Sequence, residues 1–529
     1  MKWKVIDVDE SRLASRYGLP VLPARLLTLS DVEEAQIREL LDNSAVLTTS
    51  KAACVQQCCR RILEAKQKGE KIFIGGDYDA DGICSTAIMK ETLDRLGIAN
   101  GYYIPDRIKE GYGLHAHTVE MAAAKGYRLI ITVDNGVKAH EAIAKAKELG
   151  LQIIVTDHHR IEEPVDADLV VHPDYMEDAC STLSGAGVAL QISRNLIGHD
   201  DELTAMAAVA AIGDVMPLWK ETRKIVKYGL SVLARRRPYS LYALLRQYAP
   251  VNDISVSFQI VPKLNSAGRL ADRCNVNTLV RYLLTKDPEA VNRFAAQIEG
   301  INEMRKELSE SEARKAETLC TGEPFEVIYD ESFHEGLCGL VAGRLSDRLK
   351  KPVLVLAPHG ELLKGSGRGI QGMDLFAFFS DFELAAFGGH DMAVGLAVKA
   401  GEYEDFRRRV IAKTEKMMPE YEEPERTAVR IRMSEISFDA IASLDLFKPY
   451  PRELAQPYFA IEDDNIVKVY DTPKVAKYLV KDSRTVLEAV LYKRKGISEP
   501  EKPVRLIGSL SLNRFKGNTV CQMEIEDIA

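Results

Sequence analysis

Between residues 71 and 174 five short apolar runs recur with helix-compatible stretches between them: KIFIGG (71–76), NGYYIP (100–105), RLIITVD (128–134), LQIIVTD (151–157) and DLVVHPD (168–174). Runs this continuous and this rich in Ile and Val belong to strands buried on both faces, and stretches such as HEAIAKAKELG between them have the composition of covering helices. The pattern predicts a doubly wound α/β domain built on a parallel sheet. Parallel strands present their carboxyl ends along one edge, so the residues that close them converge on one crevice. Three runs close on acidic residues: Asp77, Asp79 and Asp81 in GGDYDADG (75–82), Asp134 in TVDNG, and Asp157 with His158 and His159 in VTDHH.

Carboxylates gathered in one crevice repel unless cations hold them together. Oxygen donors with imidazole and no thiolate suit manganese or magnesium, and this many ligands suit two ions better than one. Aspartates also cap helices, which accounts for one or two of these residues but not for the whole set. GGDYDADG opens like an EF-hand loop, yet the position that needs a bidentate Glu is Ile88 and the preceding element is a strand.

A chain of 529 residues exceeds a single core. The changes of pattern suggest an N-terminal segment (1–45), the α/β domain (46–235), a helical connector (236–318), a second α/β domain (319–416) and a C-terminal β domain (417–529). Within the connector, 289–318 carries Val291, Phe294, Ile298, Ile301 and Leu308 at helical spacing, a rod of about 45 Å. RRRPYSLYALLRQY (235–248) mixes Arg and Tyr as a single-strand track does, but a solvated amphipathic helix is the better reading. FEVIYD, PVLVLA and MAVGLAVK begin the second α/β domain, and MMPEYEEPER (417–426) reads as a linker. Beyond it, VRIRMSEI, NIVKVYD, VLEAVLYKR, VRLIGSLSL and TVCQMEIEDI read as five strands of a small OB-like barrel, with Lys516-Gly517-Asn518 as a turn.

No run is long and apolar enough to span a bilayer, and the first residues lack a secretory apolar segment, so a cytoplasmic protein without membrane contact is expected. The nine scattered cysteines contain no CxxC pair and argue against a disulfide framework or structural zinc. A net charge of -8 provides no overall attraction for nucleic acid; such a substrate needs a local basic groove or bound metal.

Taken with PDRIKEGYGL (105–114), GAGVAL (185–190), AIGDVMPL around Asp214, PKLNSAGR (262–269), FHEGLCGLVAGRL (333–345), KGSGRGI (364–370) and FGGHDMAVGL (387–396), these motifs resemble the DHH phosphoesterase superfamily, and within it the single-strand exonucleases. The resemblance runs over nearly the whole chain. It implies that Asp79, Asp81, Asp134, His158 and Asp214 hold two divalent ions, Mn2+ or Mg2+, with Asp134 as the bridge, while Asp77 and Asp157 orient ligands. It implies that His159 bonds a phosphoryl oxygen or protonates the departing 3′ oxygen, that Asn265 and Arg269 meet a phosphate, and that Ser366, Arg368, Gly388, Gly389 and His390 hold a terminal nucleotide. The activity implied is metal-dependent 5′ to 3′ hydrolysis of single-stranded DNA to mononucleotides in repair and recombination, by a monomer with a helicase and a single-strand-binding protein as partners. A DHH phosphodiesterase for short oligonucleotides or cyclic dinucleotides, and a non-catalytic replication scaffold, are the alternative readings. Two departures stand out. Gly75 occupies a position where many relatives carry a ligand histidine, for which His172 is a possible substitute although a satisfied loop histidine is the better reading, and FKPYPRELAQPYF (447–459) replaces a Gly-Asn-Pro-rich stretch.

Overall fold

The computed structural model describes residues 2–30, 32–42, 44–247, 250–417, 425–454, 457–463, 465–482, 485–493, 496–515 and 518–529. Most of the expected linker (418–424), and Lys516 and Gly517 of the expected turn, lie outside them. The chain divides into two units, one of Leu47–Met216 with Glu221–Tyr421, the other of Met1–Val46, Pro217–Lys220 and Glu422–Ala529.

Strand β1 (Lys2–Ile6) joins strands from the C-terminal end of the chain. The larger unit opens with β2 (Lys71–Gly75), β3 (Asn100–Tyr103), β4 (Tyr127–Val133), β5 (Gln152–Thr156) and β6 (Leu169–Val171), all parallel, in the order β3-β2-β4-β5-β6. One face packs Phe73, Ile130, Ile153 and Val155 against Val119, Ala142 and Ile143. The helices Ala80–Arg95 and Gly185–Ile197 are themselves largely buried. Buried Thr86 and Thr92 return their hydroxyls to the carbonyls of Gly82 and Ile88 at 2.7 Å, which lets polar residues sit in such a helix. Strand order reverses between neighbours β2 and β4, and that switch point opens the crevice at the carboxyl edge.

The helix Pro288–Thr318 spans 31 residues and starts on an Asp287 cap. Val291 and Ile298 are buried as the periodicity predicts, but Phe294, Ile301 and Leu308 are only half-buried; Asn302, Ser309 and Glu312 take the inner positions of its second half. The single helix expected over 235–248 is interrupted: Lys220–Ala234 ends before the arginine run, Arg236 takes a positive φ of 63°, and Pro238 precedes a short helix Tyr239–Ala243. Proline disfavours helical geometry in the residue before it, which breaks the run.

The second sheet contains β7 (Glu326–Tyr329), β8 (Val353–His359), β9 (Leu362–Arg368), β10 (Ala386–His390) and β11 (Ala393–Lys399) in the order β10-β11-β9-β8-β7. Only the β7–β8 pair is parallel. The helix Cys338–Leu349 covers one face through Val341, Ala342 and Leu345 against Val353 and Val355.

In the other unit, β12 (Glu425–Arg430), β13 (Phe459–Glu462), β14 (Val467–Asp471), β15 (Val475–Lys481), β16 (Val486–Tyr492), β17 (Arg505–Phe515) and β18 (Asn518–Ile528) join β1 in one sheet, ordered β1-β12-β13-β17-β18-β16-β15-β14. Five strands were legible and eight form. In β15 the lysines mask an inward row of Ala476, Tyr478 and Val480, and β1 enters from the far end of the chain. Cys521, Met523 and Ile525 of β18 point inward as their alternation predicts. In the divergent 447–459 stretch, Phe447, Leu454 and Phe459 are fully buried, so these residues supply core.

Two close approaches bring the crevice together. A Cβ on Gly82 would lie 2.5 Å from the Asp77 carbonyl oxygen, and one on Gly185 would lie 2.5 Å from the Asp134 Cβ. Gly185→Ala is therefore expected to overpack the site and cost about 1–3 kcal/mol. Urea denaturation of the metal-free protein measures this, and an unchanged midpoint would refute the tight docking.

Candidate metal centre and cleft

Asp79 caps the helix that begins at Ala80, accepting from the backbone N–H of Asp81 at 2.9 Å and of Gly82 at 3.0 Å through one oxygen. Capping thus explains part of the acidic motif, as expected, and uses only Oδ1. Asp81 lies buried against the start of the Gly185–Ile197 helix, where it accepts from the N–H of Gly185 (2.8 Å) and Ala186 (2.7 Å) and from the Ser184 hydroxyl (3.1 Å). The positive end of that helix compensates its charge. Asp134 follows β4 with φ 62°, a strained conformation of the kind that clusters at functional sites. Asp214 ends the helix Asp201–Gly213.

Asp81, Asp134 and Asp214 meet at His158. Its Nε2 lies 3.1 Å from Asp134 Oδ1, 3.5 Å from Asp214 Oδ2 and 3.6 Å from Asp81 Oδ2. Three overlapping groups, Asp77/Asp79/Asp134, Asp81/His158/Asp214 and Asp134/His158/His159, each offer ligand atoms within 4.8 Å of one another. Asp134 takes part in two of them. Asp77 Oδ1, Asp134 Oδ1 and His158 Nε2 are buried without hydrogen-bond partners. Burial first, and neighbouring carboxylates second, push Asp77 and Asp134 well above the usual carboxylate range, raise Asp79, and bring Asp214 to about 7. Burial likewise disfavours the charged form of His158. Orphaned buried donor atoms among mutually repelling carboxylates are what divalent cations would satisfy, so the residues fit such ions.

Asp157 has a different task. Its Oδ2 accepts from the N–H of Val137 (3.0 Å), and its Oδ1 from the N–H of His158 and His159 and from His159 Nδ1 (2.8 Å). Burial opposes its ionisation, but His159 and these backbone donors outweigh that and hold Asp157 below the ordinary range. Reciprocally, burial disfavours the His159 imidazolium, yet the hydrogen bond to Asp157 and its charge raise it to about 9. His172 is satisfied at both nitrogens, by Asp174 N–H (3.1 Å) and the His159 carbonyl (2.9 Å), so it does not stand in for a ligand at residue 75. A Cβ on Gly75 would already touch Leu114 at 3.1 Å, which leaves a histidine no room without repacking.

A cleft of about 900 Å³ leads from Asp77 and Asp79 to the second sheet, lined by Arg107, Arg160, Arg269, Lys364 and Arg368. The Arg269 guanidinium has no hydrogen-bonded or ion-paired partner among the described residues; burial, then Arg107, Arg305 and Arg368, lower it to about 9. Asn265 lines the same cleft, but its Oδ1 accepts from the N–H of Ala80 at 2.7 Å, so it also fixes the helix start. Arg368 donates to Ser366 Oγ at 2.6 Å, and Gly388, Gly389 and His390 of β10 line the far wall. Sequence reasoning missed Arg107, whose guanidinium lies 4.9 Å from the Tyr78 ring centre, and Tyr112, which donates to the Asp134 carbonyl at 3.1 Å and lies 3.2 Å from His159 Nδ1. The available signal was their place in PDRIKEGYGL, the loop at the carboxyl end of β3 and so on the same edge as the aspartates.

A parallel sheet whose strand ends gather DxD, Asp and DHH side chains, set across a cationic cleft from a second α/β domain, defines a DHH phosphoesterase. Known domains match accordingly: the DHH family N-terminal domain at residues 71–213, the DHHA1 domain at 322–416 and the RecJ OB domain at 427–527. The chain belongs to the RecJ family. It is 31% identical to the single-stranded-DNA-specific exonuclease RecJ of Dickeya dadantii over 74% of each protein, and 29% identical to RecJ of Escherichia coli over 96% of each. Among solved structures, RecJ of Thermus thermophilus in complex with Mn2+ superposes with a TM-score of 0.82 at 24% identity, covering 100% of this chain and 79% of the other. A second, an exonuclease RecJ bound to manganese, has a TM-score of 0.62 at 30% identity over 70% of this chain and 97% of the other.

The raised carboxylates have a thermodynamic consequence. Asp214 binds its proton up to about pH 7 when folded but only to about pH 4 when unfolded. The stability it contributes is complete below the unfolded value and is lost as pH rises through 7. In chelator, the urea midpoint should fall between pH 5 and pH 8, less steeply in Asp214→Asn, and Mn2+ should restore it at pH 8. Identical slopes in the two proteins would remove Asp214 from the cluster.

Proposed function

We propose that this protein is a metal-dependent exonuclease of single-stranded DNA, working 5′ to 3′, releasing mononucleotides and serving DNA repair and recombination. The observation that carries the reading is the buried, partnerless ligand set around Asp134 and His158 at one end of a cationic cleft. Asp79, Asp81, Asp134, His158 and Asp214 would hold two divalent ions, Mn2+ or Mg2+, with Asp134 shared. When bound, such ions supply an activated water and neutralise charge on the phosphoryl oxygens.

The remaining work falls to the protein. Asp157 keeps His159 protonated at neutral pH and takes its Nδ1, which leaves Nε2–H to bond a phosphoryl oxygen or to protonate the departing 3′ oxygen. Arg269, half-buried and unpaired among the described residues, is set to grip a phosphate next to the carboxylates that would otherwise repel it. Ser366, Arg368 and the Gly388–His390 end of β10 hold the terminal nucleotide, and Asn265, on the helix Val261–Arg269, ties Arg269 to the start of the Asp79-capped helix by accepting from the Ala80 N–H. The RecJ OB domain supports a grip on longer strands. Among the described residues no helix is long and apolar enough to cross a membrane. We place the enzyme in the cytoplasm as a monomer, on strands opened by a helicase and covered by a single-strand-binding protein.

Mn2+-dependent digestion of end-labelled single strands, duplexes and a dinucleotide tests the reading. Rapid loss of long single strands with duplex spared is expected; turnover of the dinucleotide alone would favour a small-substrate phosphodiesterase, and no turnover a scaffold. Asp134→Asn should lower turnover at least ~100-fold without lowering metal-free stability, because it relieves repulsion while removing a ligand. Arg269→Ala should reduce kcat/KM by ~100-fold on long and short substrates alike.

A further inference from the structure

We propose that His334 is a positioning residue that sets the separation of the two cleft walls and acts through Arg269. The proposal rests on the nuclease reading above. His334 lies in the loop that enters the Cys338–Leu349 helix, outside the metal centre and outside the cleft lining. It makes three directed contacts to three parts of the larger unit. Its backbone N–H donates to Glu312 Oε1 of the long connecting helix at 3.0 Å. Its Nδ1 accepts from the N–H of Gly336 at 3.1 Å, which assigns the ring proton to Nε2, and Nε2 lies 2.9 Å from Asp272 Oδ1.

Two of these contacts end beside a cleft residue. Asp272 stands three positions beyond Arg269. Gly336 lines the cleft and packs so closely that a Cβ there would lie 1.9 Å from the Arg269 carbonyl oxygen. Glu335, also in the lining, accepts from or shares a proton with His359 Nδ1 at 2.7 Å and lies 3.6 Å from Lys364. The ring of His334 therefore ties the backbone that carries Arg269 to the loop leading to Gly339, which faces the Arg368 guanidinium. No charged partner fixes the Arg269 side chain among the described residues, so its placement depends on where its backbone is held. A phosphate pinched between Arg269 and Arg368 is sensitive to that spacing, since a shift of about 1 Å can cost ~100-fold in rate.

A double-mutant cycle separates this role from a merely structural one. On a single strand hydrolysed by the wild-type protein with Mn2+, His334→Ala should reduce kcat/KM ~10-fold or more, and Asp272→Ala should do so to a lesser extent. In an Arg269→Ala background both losses should nearly vanish, within ~3-fold, because the group being positioned is gone. Mn2+ affinity, measured by calorimetry, should stay within ~3-fold of wild type. Multiplying losses in the double variants, a wild-type rate in His334→Ala, or an Arg269→Ala protein as active as wild type would each overturn the proposal. If His334→Ala does not fold by circular dichroism, the Asp272→Ala cycle decides alone. A wild-type protein inactive on every strand would instead refute the nuclease reading.

Discussion

Everything at the heart of this molecule follows from placing aspartates close together at the buried edge of one sheet. Asp77, Asp79, Asp81 and Asp134 come from the ends of two neighbouring strands, and Asp214 arrives from a helix; Asp77, Asp81 and Asp134 are buried where they meet, and Asp79 and Asp214 are half-buried. The protein tolerates this arrangement in different ways for different members. Asp81 is compensated by a helix start and Asp157 by backbone donors and His159. Asp77, Asp134 and Asp214 are not compensated, and burial with mutual repulsion drives them towards the protonated form. The uncompensated carboxylates depend most on a cation, while Asp79 and Asp81 still present ligand atoms to the same groups.

The same division separates the two histidines of the DHH motif. His158 is starved of charge by burial and faces three carboxylates as a neutral donor; His159 leans on Asp157 and stays protonated. Adjacent in sequence, they point into opposite electrostatic environments, one suited to holding a cation and the other to meeting an anion.

The cleft applies the same logic with the signs reversed. Arg269 is half-buried near other arginines with no ion-paired partner among the described residues, an arrangement an anion would relieve. The long helix Pro288–Thr318 and the second sheet exist, in physical terms, to hold this positive wall against the acidic one. Of the polar inner positions of the helix, Asn302 accepts from Arg305 and Glu312 from the His334 N–H.

Much of this was readable in the sequence because strand burial and residue type are local properties. Five β-branched runs told the parallel sheet, strand-end aspartates told the crevice, and alternation in β18 told an inward row. Other features depended on partners far away along the chain. The polar inner positions of the long helix reflect what it packs against, and β1 pairs with β12 although the intervening chain builds the other unit. Within the site, the sequence by itself determined which ligands are present, since carboxylate and imidazole donors are fixed by residue identity. The expected orienting place of Asp157 and the satisfied state of His172 were legible beforehand; tertiary structure alone decided that Asn265 serves a helix start and that Arg107 and Tyr112 border the site. Those roles are set by which donors and acceptors folding brings within 3 Å, and spacing along the chain does not encode that distance.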